Sequence, residues 1–446
     1  MHRPRSIHAL STIEHDLTAF SAAAVHELGG PPWLAEHRSD AHERFAASSM
    51  PTGDEELWRY SRIAELDIGR FTPASGPGEH AMPAVAQGFV DMFGERAGLV
   101  VTSDGFLVTA DLGEVARDQG VSVGRASEHS AAPQLFGSVS GAFAPDDVDA
   151  FGDLAEAFAP DAVTLNVPRN VDLSGPVIVV HVIGDGTSDS APAVFPRTLV
   201  SLEENAGATV IELLVSGDGT SLVIPTVELA AGDGARLTHA VVQHLGTNAW
   251  QVGRLFATAG RDSTLKSFQA SLGAGYARMR TDSILTGQGG SAELLAAYFG
   301  DGDQMHDFRT LQEHAAPRTT SDLVFKGAVA GSARSVYSGL IHMRKGAKGA
   351  NAFQTNRNLV LSEGAHADSV PNLDIEENDV RCSHASAVGP VDEQQRFYLE
   401  SRGVPAAVAE RLIVLGFFAE LLERVHPSVR DFVLGAITER GRAVMA

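Results

Sequence analysis

A turn of one kind recurs along the middle of this chain at nearly constant spacing. Each turn joins Gly or Asp to a small residue and precedes a β-branched or apolar run, and successive turns are about 26 to 28 residues apart. The four clearest are Gly207-Ala208, Gly234-Ala235, Asp262-Ser263 and Gly290-Ser291. Such a repeat is typical of solenoids, and suits a β-helix coil of two or three strands or a sideways stack of antiparallel strand pairs. We favour the β-helix over a β-sandwich, because sandwiches seldom need more than about 200 residues.

Helical patterns flank these strands. The N-terminal stretch PPWLAEHRSDAHERFAAS begins with a proline pair and predicts a helix. Near the other end, PAAVAERLIVLGFFAELLERV predicts a helix that is apolar around much of its circumference, so its own domain or a partner must cover it. The predicted regions are a helical region at 1–65, a small α/β region at 66–155, a β-helix core at 156–385 and a helical domain at 386–446.

Charge and cysteine content argue against several classes of function. The formal net charge of -22 repels phosphate backbones, so we expect no nucleic-acid partner. No apolar run approaches the roughly 18 residues that cross a bilayer, and the opening MHRPRSIHALSTIEHD contains no apolar signal-peptide segment. A single cysteine fits a reducing compartment, so we expect a cytoplasmic protein without a membrane partner.

The common catalytic motifs do not occur in the sequence. There is no P-loop and no G-x-S-x-G, and neither C-x-x-C nor H-E-x-x-H is present. His306 and His314 are alternative metal ligands, together with Asp307 or Glu313, although their spacing matches no standard ligand set. The motifs therefore do not point to an enzyme.

The only cysteine lies two residues before a histidine, in the run DVRCSHASAVGPVDEQQRFYLESRG. If this segment is extended, Val380, Cys382 and His384 lie on one face, and the α-carbons of Cys382 and His384 are about 7 Å apart. That geometry suits a shared metal or sulfur ligand, and it equally suits a thiol packed into a core. An iron–sulfur cluster normally takes about four thiolates, so any cluster here would need ligands from a second protein.

The same run resembles the C-terminal signature of the SufB/SufD family, the scaffold proteins of the SUF system, in which C-S-H-G-A-T precedes F-Y-L-x-S-R-G. The segment PTGDEELWRYSRI is also similar to the helical entry segment of the family. Further matching positions are Gln354, Asn358, Leu359, Leu361, Ser362, Ala367, Pro371, Leu373 and Ile375. One cysteine, and C-S-H in place of E-H-E, indicate the SufD branch. In place of Gly-Ala-Thr this chain has Ala385-Ser386-Ala387, which changes the local backbone if the site needs a positive φ.

The resemblance implies a mainly β protein, a right-handed parallel β-helix flanked by N-terminal and C-terminal helical domains. It implies a non-catalytic scaffold of iron–sulfur cluster assembly that pairs with the SufB paralogue and binds the ATPase SufC. A homodimer of the isolated chain is a further expected arrangement. The implied cofactors are a transient iron–sulfur cluster shared with SufB and a reduced flavin in the assembled complex, neither held tightly by this chain alone.

The resemblance also implies site residues. By position, the cluster-associated histidine of the family is His384, which is the candidate metal ligand, with Cys382 beside it. The candidates for SufC docking are Phe397, Tyr398, Ser401, Arg402, Gly403, Leu412, Leu415 and Phe417.

Two other functions fit part of the pattern. Many β-helix proteins are enzymes that act on polysaccharides, but these are usually secreted and carry clustered carboxylates on a groove. The chain also fits a SufB-like scaffold that acts alone, and reconstitution of a cluster on the isolated protein would distinguish that function.

Overall fold

The computed structural model describes residues 16–129, 149–184, 186 and 191–444. Its core is a parallel β-solenoid of about seven turns, built from two sheets that face each other. The chain alternates between the sheets, so each coil of the core contributes one strand to each. The opening segment 1–15 and part of the predicted 66–155 region lie outside the described residues.

The strand bounds follow the two sheets. In sequence order, the first sheet contains β1 (Phe71–Pro73), β4 (Ser122–Arg125), β5 (Val163–Val167), β7 (Ala191–Val194), β8 (Arg197–Leu202), β10 (Ser221–Val223), β11 (Thr226–Ala231), β13 (Ala249–Ala259), β15 (Tyr276–Leu285), β17 (Met305–His314), β19 (Arg334–Met343) and β21 (His366–Ile375). The second contains β2 (Gly98–Ser103), β3 (Phe106–Leu112), β6 (Val177–Ile183), β9 (Gly207–Ser216), β12 (Arg236–His244), β14 (Thr264–Ser271), β16 (Ser291–Gly300), β18 (Thr320–Val329), β20 (Asn351–Val360) and β22 (Arg381–Gly389).

Neighbouring coils stack in register. Arg236 of β12 pairs with Thr264 of β14, which pairs in turn with Ser291 of β16, and both ladders are parallel. The number of residues between paired positions agrees with the turn spacing seen in the sequence. The solenoid prediction is therefore confirmed, with two strands in each coil. The β-sandwich and the stack of antiparallel pairs are wrong, because each core strand pairs with the strand one repeat away.

Helices cover the outer faces of both sheets. The described helices are α1 (Ala22–Glu27), α2 (Pro32–Ala47), α3 (Ala84–Asp91), α4 (Glu114–Asp118), α5 (Ala150–Phe158), α6 (Glu393–Ser401), α7 (Ala406–Leu422) and α8 (Pro427–Val444). Phenylalanines of α2 and α5 pack with Tyr276 and Met305 of the first sheet. Side chains of α3, α7 and α8 form one apolar layer with the second sheet. No helix in the described part of the chain has the length and apolar character needed to cross a membrane.

A buried ion network fixes the N-terminal segment to the first sheet. The carboxylate of Asp307 accepts from Arg278 Nη1 at 2.6 Å and from Arg309 Nε at 2.7 Å. The same arginines donate to the backbone carbonyls of Leu57 and Arg59, at 2.6 and 2.7 Å. Arg278 also lies 3.9 Å from the centre of the buried Trp58 ring. The Asp307 carboxylate thus positions two arginine side chains. These arginines hold the segment around Trp58, which lies more than 200 residues earlier in the sequence.

Ion pairs also hold α7 on the second sheet. Lys326 Nζ donates to the Phe417 carbonyl at 2.9 Å and to the Glu420 carboxylate at 2.6 Å. Arg424, which follows the helix, pairs with Asp322 at 2.6 Å. These contacts fix the orientation of α7, which has apolar residues on every side.

Candidate functional site

The last coil of the solenoid, β21 and β22, forms an exposed end that we call the open end. These strands terminate the first and second sheets, and each is paired on one side only among the described residues. Some residues of these strands face the interior of the solenoid and pair with buried residues of the preceding strand. Leu373 pairs with the buried Ile341, and Ile375 pairs with the buried Met343. Both are nevertheless exposed, so the open end presents core-type side chains to solvent.

His384 lies at the rim of the open end. It is the last member of a ladder that runs from Leu294 through Leu323 and Gln354, all buried inside the solenoid. Because in-register residues of parallel strands point the same way, His384 faces the interior. No strand covers it in the described part of the chain, and the residue is exposed. The imidazole is therefore available to a ligand or partner at the end of the solenoid.

Cys382 points the same way but is half-buried. Its neighbours include Ile341, Met343 and Val380. Val380 and Cys382 thus share a face, and alternation places His384 on it, as the sequence predicts. Burial raises the pKa of the Cys382 thiol above its usual value. A thiol with a raised pKa holds its proton at neutral pH and is a weaker ligand and nucleophile than a thiolate.

The three residues that replace the family's Gly-Ala-Thr have an ordinary strand conformation. Ala385, Ser386 and Ala387 all lie within β22, so their backbone is extended. Any residue with an L side chain adopts that conformation. The changed local backbone that we expected for a positive φ at Ala385 is therefore not found.

The alternative metal ligands are structural groups in the solenoid. His306 is buried and its Nδ1 lies 2.8 Å from Ser271 Oγ. His314 is bonded to the hydroxyls of Thr319 and Ser321. The described residues contain no group of three or more His, Cys, Asp or Glu side chains arranged to hold a metal ion. The alternative metal site at His306 and His314 is thus wrong, because each ring is directed to a different set of hydroxyls.

Because both histidines are buried, we expect the folded protein to lose stability at acidic pH. Burial, with Arg440 adding a smaller effect, lowers the pKa of His306 to about 3, and burial lowers that of His314 to about 4. In the unfolded chain the pKa is about 6.5, so below that pH the unfolded state binds more protons. Stability is complete above pH ~6.5 and falls on acidification by about 1.4 kcal/mol per pH unit for each histidine.

Urea unfolding at a series of pH values between 7.5 and 5 measures this effect. The His306→Gln variant should show a shallower loss of unfolding free energy with falling pH than the wild type. Equal slopes for the two proteins would contradict the prediction.

The C-terminal helices present a second exposed surface, which we call the helical surface. No residue of α6 is buried, and Phe397 and Tyr398 are 70% and 58% exposed. Ser401 Oγ bonds to the Tyr398 carbonyl, and Gly403, at φ +87°, follows the end of the helix. Arg402 lies 5.3 Å from the Tyr398 ring. The aromatic face of α6 is therefore held in place but uncovered.

A groove between α7 and α8 extends the helical surface. It encloses about 220 Å³ and is lined by Leu412, Leu415 and Ile437 among others. Leu412 is 48% exposed. Phe417, by contrast, is half-buried beside Phe418 and Lys326. Seven of the eight predicted docking residues thus lie on or beside the exposed side, whereas Phe417 contributes to holding α7 on the sheet.

The sequence patterns do not single out the apolar residues that are exposed at the open end. Leu373 and Ile375 stand out in the sequence only as positions that match the family, and Val388, which is 44% exposed, does not stand out at all. A signal was present nearby, since polar Gln354, Asn356 and Asn358 alternate along β20 and all are buried. Polar residues on the inward face of a strand indicate a polar interior next to the site.

Comparisons with known proteins cover most of the sequence. Residues 183–417 match the family model described as "SUF system FeS cluster assembly, SufBD core domain", and residues 21–179 match "SufBD protein N-terminal region". An iron-sulfur cluster assembly SufBD family protein of Mycobacterium tuberculosis is 37% identical over 286 residues, 62% of this chain and 70% of that protein. The SufD proteins of Bacillus subtilis and Escherichia coli are 28% and 25% identical, each over 89% of this chain and 91% of the relative. The core match alone spans more than half of the sequence, so the chain belongs to the SufBD family of iron–sulfur cluster assembly proteins.

Proposed function

We propose that this chain is a non-catalytic, SufD-type scaffold that pairs with SufB through the open end and binds SufC through the helical surface. The observation that carries the proposal is an exposed histidine, His384, at the rim of an unpaired solenoid end. A nascent iron–sulfur cluster, the cargo of the complex, would be bound between the two scaffolds there. A reduced flavin in the assembled complex remains a prediction.

The open end has the properties of a pairing surface. Edge strands carry unpaired backbone N–H and C=O groups, and proteins normally cover or protect such edges. Here β21 and β22 also expose Leu373, Ile375 and Val388 from inward positions. A paralogue of the same fold could add its own last coil, which would continue both sheets and cover these side chains. Within the family, SufB is the paralogue that we expect to bind in this way.

His384 is the stronger ligand of the two predicted site residues. Imidazole nitrogens bind iron directly, and the side chain of His384 is exposed at the rim. Cys382 lies half-buried in an apolar cluster with a raised pKa, so it would need to lose its proton before it could bind a metal. We therefore assign the ligand role to His384 and a supporting role to Cys382, with SufB supplying the remaining ligands.

The helical surface suits a separate partner. Its exposed residues Phe397, Tyr398 and Leu412 are the aromatic and apolar types that anchor protein interfaces. The three belong to α6 and α7, on the outer side of the second sheet rather than at its edge. SufC can therefore bind this surface while SufB occupies the open end.

A crossed co-purification tests the two surfaces together. In tagged complexes made with SufB and SufC, Val388→Lys places a charge in the open end and should lose SufB while retaining SufC. Leu412→Asp places a charge in the groove and should lose SufC while retaining SufB. Burying an unpaired charge in an interface costs several kcal/mol, so each loss should exceed about tenfold.

Val108→Lys is the matched control for the open end. Val108 is 57% exposed on β3, the strand at the opposite end of the second sheet, so its replacement should leave both partners bound. If Val388→Lys recovers SufB in normal amounts, the open end is not the pairing surface.

A further inference from the structure

Gln354 is a buried amide whose carbonyl oxygen has no hydrogen-bond partner among the described residues. Its residue exposure is 0%, and its carbonyl oxygen meets no donor of suitable geometry. The side chain also hydrogen-bonds with the Tyr337 hydroxyl. Buried polar groups are nearly always hydrogen-bonded, because unpaired burial is costly. The unpaired carbonyl oxygen is therefore expected to gain a donor when the open end is occupied.

The position of Gln354 links it to the open end. It pairs in register with His384 on the neighbouring strand, and both side chains point into the interior. Neighbouring strands are about 4.8 Å apart, a distance that a glutamine side chain spans. On the other side of Gln354 the ladder continues with Leu323, which is apolar. His384 is thus the adjacent polar group along this ladder.

Space around the amide is kept open by Gly339. A Cβ atom at that glycine would lie 2.4 Å from Gln354 Nε2 and 2.2 Å from the Tyr337 hydroxyl oxygen, so any larger residue would displace both groups. The Tyr337 hydroxyl is held in turn by Thr310 Oγ1 at 3.0 Å. The amide therefore lies in a polar recess beneath His384.

We propose that Gln354 is a positioning residue for His384. Its carbonyl oxygen accepts the N–H of one imidazole nitrogen, which leaves the other nitrogen directed to the open end as an iron ligand. Metal-binding histidines normally donate their second N–H to a carboxylate or carbonyl, which fixes the tautomer and the ring orientation. The inference rests on the proposed function, because it concerns the ligand assigned there.

Two substitutions separate positioning from packing. Gln354→Met keeps the size of the side chain but removes the acceptor, whereas Gln354→Glu keeps an oxygen acceptor. If Gln354 positions His384, the Met variant in complex with SufB and SufC should release iron to a chelator about 10- to 100-fold more readily, and the Glu variant should retain it. If the amide is only part of the interior, the order reverses, because a buried methionine is tolerated and a buried carboxylate is not.

Gln251→Met is the matched control. Gln251 is another buried amide with an unpaired carbonyl oxygen, in β13 several coils away, so its replacement should leave iron retention unchanged. Iron loss in His384→Ala together with normal retention in Gln354→Met would overturn this inference and leave the proposed function standing. Normal retention in both variants would overturn the ligand role of His384, and this inference with it.

Discussion

Replacing His384 by alanine should remove most of the iron and acid-labile sulfide from the complex with SufB and SufC, while the three proteins still co-purify. The histidine is exposed at the rim, so its loss creates no cavity in the core and should not prevent pairing. A cluster normally has about four protein ligands, and a complex that loses one should retain less than about a fifth of its iron. Iron, sulfide and the visible absorption spectrum of the purified complexes measure the effect.

His366→Ala provides a matched control for this substitution. His366 is an exposed histidine at the start of β21 in the same coil, and its ring lies 3.1 Å from an Asp368 carboxylate oxygen. Its partner in the register is Arg334, an exposed residue, so it does not face the interior. An equal loss of iron in both variants would indicate a general effect of the open end and not ligation by His384.

Replacing Asp307 by alanine should destabilise the protein by about 3–5 kcal/mol, the largest effect on stability that we expect from a single ion network. Burial alone would raise the pKa of Asp307, but Arg278 and Arg309 outweigh it and hold that pKa below its usual value. Without the carboxylate, two buried guanidinium groups lose their counter-charge. Chemical denaturation gives the free energy of unfolding, and limited proteolysis reports release of the segment around Trp58.

Asp303→Ala is the control for the Asp307 substitution. Asp303 is exposed in the turn before β17, and only its backbone carbonyl is bonded, to Arg62. Its replacement should change stability by less than about 0.5 kcal/mol. If Asp307→Ala is equally mild, the network does not hold the N-terminal segment.

The solenoid could be predicted from the sequence because the turns between its strands recur at a regular spacing. Each coil repeats the same turn, so the turns at Gly234 and Asp262 lie directly before β12 and β14, which pair with each other. Alternation within one strand also placed Cys382 and His384 on a common face. Both are local or repeating features, which a single sequence displays.

Long-range contacts could not be predicted in the same way. Strands β2 and β4, which we assigned to a small α/β region, pair with β6 and β5 and extend the two sheets. The partners of Asp307 are carbonyls near Trp58, and no local pattern connects these residues. Gln354 was visible only as a matching position, because its significance depends on the strand that pairs with β20.

The most direct test of the account is native mass spectrometry of the tagged chain purified from cells that express SufB and SufC with it. We predict a complex that contains all three proteins, with iron and sulfide that are lost when His384 is replaced by alanine. A chain recovered alone or only with itself, with no SufB or SufC, would contradict the proposed scaffold.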